Sequence, residues 1–278
     1  MSEPLIETIH LSKIYGAGET AVHALADVNA RVAPGEFIAI MGPSGCGKST
    51  LLNMLGALDQ PTEGEIWVAG ENLARLKDVD DFRAHTVGFV FQLHNLLPTL
   101  TALENVEVPM QGRVGSAKQR RQRALHLLDL AGLSDRAQHL PNQLSGGQRQ
   151  RVAIARSLAN NPKLILADEP TGSLDSHSGE ELMQLLGNLN RSEGTTIAVV
   201  THDARVAQAA QRILRMEDGH IVEDHRVTDP LEEDLRILAH SKLGDVIMDT
   251  EDEPMQEVTP EEELILRKLI RRLRANGR

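Results

Sequence analysis

The stretch GPSGCGKST, Gly42–Thr50, follows the apolar run EFIAIMG, Glu36–Gly42. No other feature restricts the fold as much. An uninterrupted apolar run ending in glycine reads as a strand buried on both faces. Leu51, Leu52, Leu55 and Leu58 then mark the inner face of a helix starting near Lys48. The spacing G-x-x-x-x-G-K-[ST] between strand and helix makes a cradle for phosphate. Gly42, Gly45 and Gly47 let the backbone wrap closely, so that the N–H groups of Pro43's neighbours, Ser44 and Cys46 point at anionic oxygens. The helix N-terminus adds positive potential. Lys48 supplies a point charge for the β- and γ-phosphates, and Ser49, beside Thr50, offers a hydroxyl to Mg²⁺.

A second segment supplies the partner. LILADEP is a hydrophobic strand that delivers Asp168 to the C-terminal edge of a sheet, where ligands bind in open α/β folds. Asp168 is placed to hold Mg²⁺ through water. Glu169, one residue on, can polarise an attacking water as a general base. To this point the chain reads as a nucleoside triphosphatase or a kinase.

The rest of the 278 residues fits one large domain with an appendage. EFIAIMG, VGFVFQ (Val87–Gln92), KLILAD and TTIAVVTH (Thr195–His202) are buried strands alternating with helical pattern, which predicts a mostly parallel sheet covered on both faces. The first 35 residues and EIWVAGENL read as short antiparallel strands, and RILRMEDGHIVED as a hairpin turning at Asp218-Gly219. Residues from about 94 to 160 are rich in Leu, Ala, Gln and Arg with no good strand. They read as an inserted helical subdomain, with Val152, Ile154, Ala155 and Leu158 as core candidates.

Charge is unevenly placed. Between Glu223 and Glu263 stand 15 acidic and 3 basic residues, and from Leu264 onward 6 basic and none acidic. The remaining body is mildly acidic, so no nucleic acid is expected as a partner. The tail shows two helix starts, at Asp229-Pro230 and at the capping box Thr259–Glu262, and Leu266, Leu269, Ile270 and Leu273 at helical spacing. No run of 18 apolar residues predicts a membrane span. One cysteine, Cys46, permits no internal disulfide; it reads as a small filler of the loop.

LSGGQ at Leu144–Gln148 resembles the signature motif of the ATP-binding cassette (ABC) ATPases, and the other family elements follow in order over residues 4–224. Tyr15 matches the aromatic residue that stacks on adenine, Gln92 the Q-loop glutamine, SLD at Ser173–Asp175 the D-loop, and His202 the switch histidine at the γ-phosphate. Alone, each is ordinary: a strand tyrosine, a polar strand end, a structural histidine. Together they imply an α/β P-loop NTPase (RecA-like) core with an antiparallel β subdomain and an inserted α-helical subdomain, spanning residues 1–224, with 225–278 an extension.

The resemblance also implies the chemistry. ATP and Mg²⁺ are the expected ligands. Glu169, His202 and Lys48 carry hydrolysis, and Ser49, Gln92 and Asp168 hold the metal. Ser145 and the Gly146-Gly147 backbone, with Gln148, make a second anion-binding helix start, and Asp175 lies beside it. In the family two ATPase domains dimerise head to tail, so that each signature covers the ATP of the other chain. A lone copy implies a homodimer, or a heterodimer with another ATPase subunit.

VGFVFQLHNLLPTLTALENV and DEPTGSLDSHSGEELMQLL look most like the subfamily of macrolide-export, lipoprotein-releasing and cell-division ATPases. That implies an integral-membrane permease as partner, with the ATPase peripheral at the cytoplasmic face of the inner membrane. Residues Leu93–Thr101 are expected to form part of the groove receiving the permease. An importer ATPase, a soluble ABC ATPase of DNA repair or translation, and a P-loop kinase are the competing readings. The signature argues against the kinase. The absence of a coiled-coil insertion or a second cassette argues against the soluble class.

Overall fold

The computed structural model describes residues 3–113, 115–227 and, near the C-terminus, 265, 267 and 268. Strands β1 (Ile6–Tyr15) and β2 (Val22–Val32) pair antiparallel, and β3 (Phe37–Met41) leads into helix α1 (Lys48–Leu55). A short hairpin follows, β4 (Glu63–Val68) and β5 (Glu71–Asn72), then α2 (Val79–Thr86) and β6 (Val87–Phe91). Between β6 and the next strand the regular elements are helical: α3 (Ala102–Glu107), α4 (Ala117–Leu130) and α5 (Gly146–Ser157). The chain then alternates β7 (Leu164–Asp168), α6 (Ser176–Glu193), β8 (Thr196–Thr201) and α7 (Ala204–Gln208). It closes on the hairpin β9 (Arg212–Glu217) and β10 (His220–Arg226).

Two sheets result. One is antiparallel, in the order β2-β1-β4-β5. The other has six strands in the order β10-β9-β3-β8-β7-β6, parallel except for the β9–β10 hairpin. The parallel strands are uniformly apolar because they serve two cores at once. Ala39, Ile165, Ala167, Ile197 and Val199 face α5 and α6 together with Leu103, Val106 and Leu127 of the helical insertion. Their alternating neighbours Ile38, Ile40, Leu164, Leu166, Ala198 and Val200 face α1 and the antiparallel sheet. Side chains alternate across a strand, so every second residue joins the other core.

The helix caps are local. Thr101 with Glu104, Ser116 with Gln119 and Ser145 with Gln148 each form a reciprocal capping box at the start of α3, α4 and α5, worth about 0.5–2 kcal/mol each. The predicted turn at Asp218-Gly219 is present, both residues having positive φ (45° and 82°) as a two-residue hairpin turn requires.

Two expectations change. Leu58 does not belong to the inner face of α1: the helix ends at Leu55, and Leu58 falls in the following turn, 43% exposed. The body also runs past residue 224. Strand β10 continues to Arg226, and the Val227 N–H donates to the Gln211 carbonyl at 2.9 Å. Val152, Ile154, Ala155 and Leu158 are all buried as expected. In the tail, Ile265, Arg267 and Lys268 are helical. The starts at Asp229 and Thr259, and Leu266, Leu269, Ile270 and Leu273, lie outside the described residues.

Candidate functional site

Parallel register brings the predicted residues to one edge. Phe91, Asp168 and Val200 stand side by side across β6, β7 and β8, and Met41 stands beside Thr201 across β3 and β8. The residues that follow these strand ends, Gln92, Glu169, His202 and Gly42, therefore leave the sheet together at its C-terminal edge.

The loop Gly42–Thr50 is shaped by backbone that only glycine adopts easily. Gly42, Gly45 and Gly47 have φ of 153°, 82° and 106°. A Cβ on Gly42 would lie 2.2 Å from the Met216 carbonyl oxygen and 2.7 Å from Cys46 Sγ, and one on Gly47 would lie 2.2 Å from the Ala24 carbonyl oxygen. Gly45 has open space around it, at the exposed rim formed with Pro43 and Ser44. The loop is braced from outside: the Gly219 N–H donates to the Cys46 carbonyl at 3.0 Å, and the Ala26 N–H to the Gly219 carbonyl at 2.9 Å. Cys46 fills space behind the loop, and burial pushes its thiol pKa up, which leaves it an inert filler.

Lys48 is only 7% exposed, and its ammonium donates to the Gly42 and Pro43 carbonyls at 2.9 and 2.8 Å. The charge is thus held inside the loop's curve. Ser49 Oγ donates to Asp168 Oδ1 at 3.1 Å. Burial raises the Asp168 pKa, and the Glu169 charge adds to this, while the Ser49 hydrogen bond and Lys48 oppose it. A desolvated carboxylate touching a hydroxyl is a hard-oxygen donor pair. It suits a divalent cation of the Mg²⁺ type, which binds proteins through one or two such groups.

Glu169 has φ of +46°, in the left-handed region that non-glycine residues seldom occupy. Its N–H donates to the Val200 carbonyl at 3.0 Å, and its own carbonyl accepts from Gly172 N–H at 3.0 Å. That turn aims the carboxylate at His202, whose Nδ1 lies 2.7 Å from Glu169 Oε1. Gln92 is exposed at the end of β6, and its side-chain amide lies over Gly172: a Cβ there would come within 2.8 Å of Gln92 Nε2.

Tyr15 is 41% exposed at the end of β1. Its hydroxyl donates to Asp59 Oδ2 at 2.8 Å, and the Lys13 ammonium sits 4.8 Å from the ring centroid. Burial and the neighbouring Asp59 raise the Tyr15 pKa.

The signature turn lies elsewhere. Ser145 is exposed, its Oγ accepting from Gln148 N–H at 3.2 Å and its N–H donating to Gln148 Oε1 at 2.9 Å. Gly146 and Gly147 border Ser173, Leu174 and Ser178, and nothing from Gly42–Thr50 comes within 4 Å of their Cβ positions. Asp175 caps α6 by accepting from Ser178 N–H at 2.9 Å and Ser178 Oγ at 2.8 Å.

Sequence reasoning missed three residues that shape this region. Gly172 keeps space for Gln92. Asn105, fully buried, ties the loop after Gln92 by accepting from Leu97 N–H and donating to the Leu97, Leu100 and Thr101 carbonyls. Arg156 donates to the His94 and Asn95 carbonyls. The available signal was for the signature itself: S-G-G-Q has the capping-box spacing, so Ser145 and Gln148 also hold the start of their own helix.

The chain matches the family model described as ABC transporter over residues 25–172. It is 51% identical to the uncharacterized ABC transporter ATP-binding protein MJ0796 of Methanocaldococcus jannaschii, over 80% of this chain and 97% of that protein. It is 50% identical to the macrolide export ATP-binding/permease protein MacB of Shewanella sp. (strain ANA-3), over 81% of this chain and 34% of that one. The solved dimeric structure of MJ0796 in a post-hydrolysis state, bound to ADP and Pi, superposes with a TM-score of 0.74 at 49% identity, covering 81% of this chain and 99% of that chain. The chain belongs to the ABC transporter family, as an ATP-binding and ATP-hydrolysing subunit.

Proposed function

We propose that two copies of this subunit, or one copy and a related ATPase subunit, close head to tail around ATP and so drive a separate membrane permease. One observation carries this reading. The chain presents two helix starts suited to anions, at Lys48 and at Gly146, and no atom of Gly42–Thr50 comes within 4 Å of a Cβ placed on Gly146 or Gly147. A head-to-tail partner would bring Ser145, Gly146 and Gly147, with Gln148 behind them and Asp175 beside them, onto the nucleotide in the other cradle. The solved MJ0796 is a dimer bound to ADP and Pi, which supports a two-subunit reading.

In this reading the N–H groups of Gly42–Thr50 and the Lys48 ammonium bind the phosphates, and Tyr15 stacks on the adenine with the ring face not taken by Lys13. Ser49, Asp168 and Gln92 would hold Mg²⁺, which when bound offsets phosphate charge. Glu169 orients the attacking water and accepts its proton, while His202 leaves Glu169 to donate to the γ-phosphate region.

The partner is proposed to be a permease of the macrolide-export type, acting by export or mechanotransmission, with this subunit peripheral at the cytoplasmic face. MacB, as its name states, joins ATP-binding and permease parts, and this chain covers 34% of that protein's length. No helix among the described residues is long and apolar enough to cross a membrane. A groove of about 520 Å³ lies between Phe89, Phe91, Asn95, Pro109 and Arg156. Leu93, 78% exposed, and Leu97 stand on the loop that follows the same strand. An apolar groove beside the site is where a permease helix would feel ATP.

The test is copurification from membranes. A permease should be retained by the wild-type subunit and released by Leu93→Asp with Phe89→Asp. Retention of no membrane protein, with ATP hydrolysis intact, would overturn the transport assignment of this chain.

A further inference from the structure

We propose that Arg156 is a positioning residue that locks the loop after Gln92 to the signature helix, so that the two half-sites of one chain move together. The inference rests on the head-to-tail reading above. His94 and Asn95 are consecutive non-glycine residues in left-handed backbone, with φ of 61° and 48°. Such conformations persist where the surroundings enforce them. Arg156, from α5, supplies the enforcement: NH2 donates to the His94 carbonyl at 2.8 Å and NH1 to the Asn95 carbonyl at 2.6 Å.

The guanidinium is an unusual choice for this task. Burial alone lowers its pKa, and no carboxylate contributes. A partly buried charge whose hydrogen bonds go to carbonyls rather than to a carboxylate is costly unless those bonds do something. Two further contacts run between the same two segments. Gln150, also on α5 and fully buried, donates from Nε2 to the Phe91 carbonyl at 3.3 Å, immediately before Gln92. The His94 ring lies against the Gly146 backbone at the start of α5 and beside Arg149, and its burial lowers its pKa.

The loop is therefore held at both ends. Asn105 fixes its far side, and α5 grips its near side at Phe91, His94 and Asn95. A helix is a stiff rod, so a shift of Gln92 toward a bound ligand carries Ser145 with it. Arg156 also lines the 520 Å³ groove. Groove, Gln92 loop and signature helix meet at one side chain.

The experiment uses the full-length chain carrying Glu169→Gln, with and without Arg156→Lys or Arg156→Ala. Three quantities are read: melting temperature, ATP affinity of the monomer at protein concentrations too low for dimerisation, and the ATP concentration that drives dimer formation by light scattering. We expect monomer affinity within about twofold of the parent. The ATP concentration for dimerisation should rise about tenfold for Arg156→Lys, which keeps one donor for one carbonyl, and further for Arg156→Ala. A folded variant that dimerises like the parent overturns the proposal. So does an equal fall in monomer affinity and dimerisation, which would assign Arg156 to the general scaffold. Should Arg156→Ala not fold, Arg156→Lys decides. If the Glu169→Gln parent itself fails to dimerise with ATP, it is the head-to-tail reading that falls.

Discussion

Glu169 and His202 share a hydrogen bond of 2.7 Å between Nδ1 of the imidazole and Oε1 of the carboxyl group. An ionised carboxylate only accepts, so opposite that form of Glu169 the bond requires the proton on Nδ1. In the proposed mechanism, Glu169 and His202 would each have to let go of the other to act on ATP.

Replacing the carboxylate should separate binding from chemistry. Glu169→Gln retains an acceptor for His202 but cannot take a proton from water. Hydrolysis should fall by about 10²–10⁴-fold while ATP affinity persists. Single-turnover assays beside nucleotide titration read both. An unchanged rate would remove Glu169 from the reaction.

Lys48 is the buried charge of the cradle, and its loss leaves the Gly42 and Pro43 carbonyls without their donor. Lys48→Ala should weaken ATP binding about 10- to 150-fold, the loss expected for a charge-assisted hydrogen bond. Isothermal titration with a slowly hydrolysed ATP analogue is the check.

Asp168 predicts a trade between stability and activity. Its folded pKa is raised, chiefly by burial. A raised folded pKa means that the ionised form is disfavoured in the native state. The associated stability is present below the ordinary aspartate value of about 3.9 and is lost as pH rises through the folded value. Asp168→Asn should therefore melt higher than the wild type at neutral pH without nucleotide or metal, with the difference closing in acid. It should also lose Mg²⁺-dependent hydrolysis. A lower melting point at pH 7 would contradict the burial argument.

The three loop glycines are not equivalent. Gly42→Ala drives a methyl into the Met216 carbonyl and should cost about 1–3 kcal/mol or more, as overpacking against backbone does. Gly45→Ala meets open space and pays only for its left-handed backbone, about 1–2 kcal/mol. Chemical denaturation of the two variants should rank them in that order.

Removing the tail after Val227 should leave basal hydrolysis intact, because every residue assigned to the site precedes Asp203. Removing it from residue 225 instead deletes the end of β10 and the Val227 contact with Gln211. That protein should be less stable by about 1–3 kcal/mol. Paired thermal melts and phosphate-release assays of the two truncations distinguish them.

Much of this was legible because local and global signals agree. Glycine spacing, a buried strand and a helix start are all read within the residues around Gly42–Thr50, and the Asp168-Glu169 edge is a strand-end pattern. What was not legible depends on distant partners. Leu58 keeps the helical spacing of α1, but Gly56 ends the helix before it. The strand β10 overruns the expected boundary because Val227 is stabilised by Gln211, which no local pattern announces. Arg156 looks like a solvated face of a basic helix until the left-handed turn at His94-Asn95 stands against it. Asn105 reads as an ordinary helix residue until the loop Leu97–Thr101 folds over it.

The bracing of the cradle by Gly219 sets an order of events during synthesis. The loop Gly42–Thr50 leaves the ribosome early, with its full motif, yet the hairpin that props its outer side is among the last parts of the body to emerge. Chains fold as they are made, N-terminal parts first. A nascent chain still short of residue 219 carries the written motif without its support, so ATP should reach a finished site only when translation of the body is nearly complete. A chain cut short upstream of β9 would lack the Gly219 hydrogen bond that supports the loop, and should bind ATP more weakly.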